Sequence, residues 1–427
     1  MSSAATEQTS RGGRAAATSQ PTAGYRQVRA RTLQLCEPLT AEDMVVQSMP
    51  DASPAKWHLA HTTWFFETFL LSPRSEQYEE FDPAFAYLFN SYYEAVGPRH
   101  PRPGRGLLTR PPLAEVRAYR GEVDERVEAL VAKGLDPEAE AILELGLHHE
   151  QQHQELLLTD LKHAFFQNPL RPAYARPLPL GTEAAPAQSF LAHQGGLVEV
   201  GHAGPGFAFD NEGPRHAVYL EPFALASRAV SNAEYLEFVE DGGYRRPELW
   251  LHEGFMAVKE QGWEAPLYWE RDEGEFTTFT LHGPRALDPS EPVTHLSFYE
   301  ADAFARWYGA RLPTEEEWEV AAAGAVEEGA FAGGGRFHPA PARPGRMAQL
   351  LGDVWEWTGS AYRPYPGYRP AAGALGEYNG KFMANQLVLR GGSCATPEGH
   401  VRTTYRNFFH PDARWQFAGL RLARDAG

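Results

Sequence analysis

Cysteine is nearly absent. Cys36 and Cys394 are the two in 427 residues, too few to staple a fold, so a reducing cytoplasm is the expected setting. Basic residues are also scarce: 39 Lys and Arg against 56 Asp and Glu leave a net charge of −17. That balance argues against nucleic acid or an anionic membrane as a partner. No apolar run reaches the length of a membrane span. Residues 1–24 are rich in Ser, Ala, Thr and Gly with no apolar core segment, and read as a disordered tail rather than a targeting peptide. No internal repeat is visible, and nothing calls for an obligate protein partner.

What the chain does have is aromatic residues, 12% of the total, and a change of texture partway along. Residues 25–168 read as helical, with helices at 26–36, from Ser53-Pro54 onward, at 112–133, and from Asp136-Pro137 to Asn168-Pro169. A long aromatic-rich connection covers 78–111, and the pattern predicts an up-and-down four-helix bundle. Residues 169–186 carry five prolines and read as a linker. From 187 to 427, Gly and Pro punctuate short segments and helical patterns are confined to 231–241, 297–309 and 314–323, which predicts an irregular α+β domain. The fold class expected is therefore multidomain, α followed by α+β.

The chemistry concentrates at His149-Glu150-Gln151-Gln152-His153. Residues i and i+4 share one helix face, so both imidazoles can reach a single metal ion. The bland alternative is a pair of satisfied core histidines, but two at ligand spacing favour a metal. His148 lies about 100° round the helix, and His163 sits about 21 Å along the axis, so neither joins them. Trp57-His58-Leu59-Ala60-His61-Thr62-Thr63-Trp64-Phe65 offers a third ligand: His61 shares its stripe with Trp57, Trp64 and Phe65, whereas His58 lies about 60° off it. Three neutral imidazoles with no carboxylate leave about half an octahedral iron(II) shell open, suited to a thiolate and O2 together. The rival is a zinc metallopeptidase, because His-Glu-x-x-His is also that motif. Its extended form would need Gly and His where this chain has Leu156 and Thr159.

Taken with further segments, these residues resemble the ergothioneine-biosynthesis sulfoxide synthases, a family of nonheme iron enzymes. The resemblance runs through Phe89-Asn90-Ser91-Tyr92-Tyr93-Glu94-Ala95-Val96-Gly97 and Arg311-Leu312-Pro313-Thr314-Glu315-Glu316-Glu317-Trp318-Glu319. It continues through Gly352-Asp353-Val354-Trp355-Glu356-Trp357-Thr358, Leu389-Arg390-Gly391-Gly392-Ser393, Tyr405-Arg406-Asn407 and Phe417-Ala418-Gly419-Leu420-Arg421. It implies a DinB-like four-helix bundle fused to a formylglycine-generating-enzyme-like, C-type-lectin-related domain, with the active site between them. It further implies Fe(II) on His61, His149 and His153, and hercynine, a thiol and O2 as substrates. The product implied is a sulfoxide, hercynylcysteine sulfoxide for a cysteine donor.

In that frame Gln152 and Asn407 are the amides expected to hold hercynine. Its trimethylammonium calls for an aromatic face, for which Phe408, Phe409 and Trp415 are candidates. Tyr92 and Tyr93 are the expected proton donor and its support, with Tyr362 and Tyr365 behind them. Arg99, Arg102, Arg105 and Arg110 form a basic cluster from which Arg102 and Arg105 are expected to clamp a substrate carboxylate. The family branch that uses γ-glutamylcysteine carries Asp two residues after the Asn and Arg four further on. Here those places are Phe409 and Ala413, which points to free cysteine. A selenoneine synthase shares the architecture and stays open. Ovothiol-type enzymes carry an added methyltransferase domain for which the chain has no room. Formylglycine generation needs a pair of nearby cysteines, and a plain lectin-like binding module would leave the histidines unexplained.

Overall fold

The computed structural model describes residues 10–181, 184–345 and 347–426. They form two compact units, divided between Asp160 and Leu161.

The first unit is the helical one. Its long helices are α1 (Ser10–Cys36), α2 (Ala55–Phe65), α4 (Leu113–Lys133) and α5 (Pro137–Gln167), the last of which runs past the unit boundary at Asp160, with a short α3 (Ala84–Phe89) in the connection after α2. Residues 1–9 of the expected tail lie outside the described residues, and helix α1 covers the rest of it. The start of α5 follows the sequence cue: Asp136 Oδ1 accepts the Ala139 N–H at 2.8 Å, with Pro137 in the first turn. Every residue of α2 is buried, so this helix is the centre of the bundle, and it runs on as a π-helical stretch over Phe66–Leu71. Gly146 lets α5 approach that stretch, because a Cβ there would strike the Phe66 ring, whose Cζ would lie at 2.8 Å.

Charged groups are buried in this bundle in matched sets. Glu150, wholly buried, accepts from Arg29 Nη1 at 2.9 Å, from Thr32 Oγ1 at 2.6 Å and from Arg120 Nη2. Arg29 Nε also reaches Asp124 at 2.6 Å. Pairing of this kind is what makes a charge tolerable away from water.

The second unit is sheet-rich. Strands β1 (Phe190–His193), β4 (Phe223–Ala226) and β12 (Ala423–Asp425) form one sheet, and β2 (Gly196–Val200) pairs with β3 (His216–Leu220). Strands β5 (Trp269–Asp272), β6 (Glu275–Thr280) and β7 (Gly283–Ala286) form a meander. The largest sheet runs β10 (Asn407–Phe409), β9 (Leu387–Arg390), β8 (Trp355–Ala361), β11 (Ala418–Leu420), with β8 and β11 parallel. Helices α6 (Asn232–Glu240), α8 (Phe298–Trp307) and α9 (Glu315–Ala321) fall inside the three segments expected from sequence. Each opens on a capping box, at Ser231 with Glu234, Ser297 with Glu300 and Thr314 with Glu317. Helix α7 (His252–Gln261) was not legible, because Gly254 interrupts its pattern. The glycine is there for close packing: a Cβ would lie 2.8 Å from Tyr299 Cβ.

The motifs that carry the resemblance build this unit's frame. Arg421 forks onto Glu356 at 2.7 and 2.9 Å, and Trp318 Nε1 donates to the same carboxylate at 2.6 Å. Arg390 and Arg406 converge on Glu315, at 3.0 and 2.8 Å. All six side chains are buried. Gly391, at φ 100°, lies where a Cβ would press on the Leu350 carbonyl.

Candidate metal centre

Helix α2 presents His61 and helix α5 presents His149 and His153, and one ring nitrogen from each lies within 4.8 Å of the other two. His61 Nδ1–H donates to the Phe89 carbonyl at 2.6 Å, which leaves Nε2 as the free lone pair. That nitrogen faces His149 Nε2 at 3.2 Å. Two imidazole nitrogens aimed at each other in a buried site are the donor arrangement a cation resolves, so the residues fit a divalent metal. His61 and His149 are buried, and His153 keeps part of its surface open.

Aromatic rings hold the ligands in place. Trp57 stacks on His61 at 4.5 Å and Trp64 flanks its other face at 5.6 Å, while Phe65 packs on His149 at 4.6 Å. Burial pushes all three histidines below their ordinary value, His149 to about 3, and for His61 and His153 the neighbouring rings push the same way. At neutral pH the three are therefore uncharged, the state a metal ligand needs.

Sequence reasoning missed what stands behind them. His58 Nδ1 lies 2.8 Å from His153 Nδ1, and His58 Nε2 lies 3.2 Å from Asp160 Oδ2. The glutamate of the His-Glu-x-x-His motif is turned away. Glu150 faces Arg29 and Arg120, whose charges hold it at about 2 against the burial that opposes ionisation. A carboxylate so deeply ionised and so fully engaged is no general base, which removes the peptidase reading.

Of the basic cluster, Arg105 is drawn inside, its guanidinium 3.4 Å from the Trp57 ring centroid and its Nη1 donating to Ser53 Oγ at 2.9 Å. Burial, and then the like charge of Arg102, disfavour its cation. Arg102 itself is exposed and donates to the Asp51 carbonyl. Tyr93 is fully buried between Trp64 at 5.7 Å and Phe69 at 5.1 Å, whereas Tyr92, stacked on it at 4.8 Å, is half-buried. Gln152 is half-buried, one residue before His153.

In the second unit Asn407 opens β10, its own Oδ1 accepting the Phe408 N–H at 2.9 Å. Strand alternation puts Phe409 on the face of Asn407 and Phe408 on the other. Phe409 meets Trp415 edge to face at 5.6 Å, while Phe408 stacks on Tyr362 at 4.1 Å. The expected aromatic trio is thus divided. Tyr362 accepts from Asn211 at 2.9 Å and Tyr365 donates to Glu315 at 3.3 Å, so both are engaged in the frame. Cys36 and Cys394 are buried and fall in different units.

A helical unit bearing three converging histidines, joined to a sheet unit framed on buried Arg–Glu clusters, defines a two-domain metalloenzyme class. The chain matches the DinB superfamily over residues 25–157 and the sulfatase-modifying factor enzyme 1-like domain over 177–346 and 341–426. It is 35% identical to the hercynine oxygenase of Mycolicibacterium smegmatis, covering 93% of this chain and 96% of that one. It is 34% identical to the hercynine oxygenase of Mycobacterium tuberculosis, again over 93% and 96%. A formylglycine-generating enzyme of Streptomyces coelicolor is 30% identical over 54% of this chain and 88% of its own. The chain belongs to the hercynine oxygenase family and is an oxidoreductase of that family. Among the described residues no helix is long and apolar enough to cross a membrane.

Proposed function

We propose that this chain is a cytoplasmic, iron(II)- and O2-dependent sulfoxide synthase of ergothioneine biosynthesis, joining C2 of the hercynine imidazole to the sulfur of free cysteine. The balance is R–H + R′–SH + O2 → R–S(O)–R′ + H2O. One C–S and one S–O bond form, a C–H and an S–H bond break, and O2 accepts four electrons. The observation that carries this reading is the convergence of three imidazoles, His61, His149 and His153, while Glu150 of the same motif is held by Arg29 and Arg120. Iron(II), held by His61, His149 and His153, would supply the redox chemistry between the thiol and O2.

The protein's own groups do the rest. In the first unit Gln152 is the amide proposed for the hercynine imidazole; in the second, Asn407 offers an amide and Phe409 with Trp415 an aromatic face of the kind a trimethylammonium needs, worth about 0.5–2 kcal/mol per contact. Arg105, with Arg102 nearer the surface, holds the carboxylate of a substrate amino acid. Of the tyrosine pair, Tyr93 is packed as the anchor, which leaves the less buried Tyr92 as the proton donor. Phe409 and Ala413 supply neither charge that a γ-glutamyl group would need, which favours cysteine as the thiol.

The test is a product assay. Anaerobic protein loaded with iron(II) is mixed with hercynine and either cysteine or γ-glutamylcysteine, then exposed to air. Hercynylcysteine sulfoxide by mass spectrometry, faster with cysteine, is expected. Preference for γ-glutamylcysteine or for a selenium donor would overturn the thiol assignment, and no product from any donor would overturn the reaction.

A further inference from the structure

We infer that His58 and Asp160 are positioning residues that set the tautomer of the metal ligand His153. This inference rests on the three-histidine reading above.

The order of protons follows from the contacts. Asp160 Oδ2 already accepts the Ser53 N–H at 2.8 Å, so this oxygen is an acceptor. His58 Nε2, 3.2 Å from the same oxygen, must then carry a hydrogen and donate it. In a neutral ring that leaves His58 Nδ1 as an acceptor. His153 Nδ1, 2.8 Å away, must therefore be the protonated nitrogen. Its Nε2 is then the ring nitrogen that keeps a lone pair for a metal. The chain carboxylate → His58 → His153 fixes that choice before any ion arrives. With a cation on Nε2, the Asp160 charge transmitted through His58 also raises the basicity of the ligand.

His58 and Asp160 are both buried, so water cannot substitute for either contact. His61 obtains the same outcome from a backbone carbonyl, that of Phe89. The two helices thus solve one problem in two ways: α2 with a main-chain acceptor, and α5 with a side-chain relay.

The experiment uses the full chain and iron(II), titrated anaerobically against a chromophoric chelator. His58→Leu keeps the side-chain bulk and removes the acceptor; His58→Asn places an amide oxygen near the Nδ1 position. Iron(II) binding is expected to weaken about 10–100-fold in His58→Leu and to stay close to wild type in His58→Asn, with the circular dichroism of the apoproteins unchanged. Equal affinity for wild type and His58→Leu would overturn the relay, as would equal weakening in both variants, which is a packing effect. A second measurement needs no variant. Long-range 1H–15N spectra of the wild-type apoprotein should show His153 protonated on Nδ1, and protonation on Nε2 would overturn the inference. If wild type itself takes up no iron(II), the metal reading fails, while these spectra still decide the relay.

Discussion

Replacing Glu150 with Gln separates a structural glutamate from a catalytic one. The carboxylate is wholly buried and receives Arg29, Arg120 and Thr32. A carboxyl held at about 2 against an ordinary 4.5 corresponds to about 3 kcal/mol of stability at neutral pH. An independent estimate agrees: removing one partner of a buried ion pair costs about 3–5 kcal/mol, because the opposite charge is left uncompensated. For a unit of this size that is a fall of about 6–20 °C in the unfolding midpoint. The sign with pH is set by the depressed value. The stabilisation is complete above the unfolded carboxyl's 4.5 and disappears as pH falls through about 2. Urea unfolding of the metal-free protein, followed by helical circular dichroism, should therefore show a gap between wild type and Glu150→Gln that is flat above pH 4.5. The gap should close progressively on acidification. At temperatures where the variant is folded, iron(II) uptake and sulfoxide formation per molecule should persist. A variant that unfolds like wild type yet forms no product would refute the reasoning, since Glu150 would then be acting at the metal.

Three further outcomes are expected. His149→Ala should abolish stoichiometric iron(II) binding, measured by metal analysis after gel filtration, and retention of the metal would remove the site. Phe409→Asp should not improve the use of cysteine, and a kcat/KM comparison of the two thiols decides this. Gly146→Ala should destabilise the helical unit by about 1–3 kcal/mol, read by urea titration, because the added methyl meets the Phe66 ring.

The helices were legible wherever local signals agreed. Asp136-Pro137 marked the start of α5, and the helical patterns at 231–241, 297–309 and 314–323 held three helices of the second unit, each of which the structure shows opening on a capping box. Helix α7 was not legible, since Gly254 weakens the local pattern for the sake of Tyr299, a contact 45 residues away in the chain. The terminal motifs were recognised as strings, but the sequence could not say what they do. Arg421, Arg390 and Arg406 are buried partners of Glu356 and Glu315 rather than surface groups.

From sequence alone, His149 and His153 had to share a face, because one helical turn separates them and helix geometry leaves no other choice. The four-helix start and the glycine- and proline-rich second half were settled at the same level, by periodicity and turn chemistry. Tertiary structure decided what lies across long chain separations. His61 meets His149 across 88 residues, Glu150 finds Arg29 across 121, and His58 finds Asp160 across 102. No local pattern encodes such meetings. They arise because burial in a common core forces each polar group to find a partner, and only the packed fold determines which one is within reach.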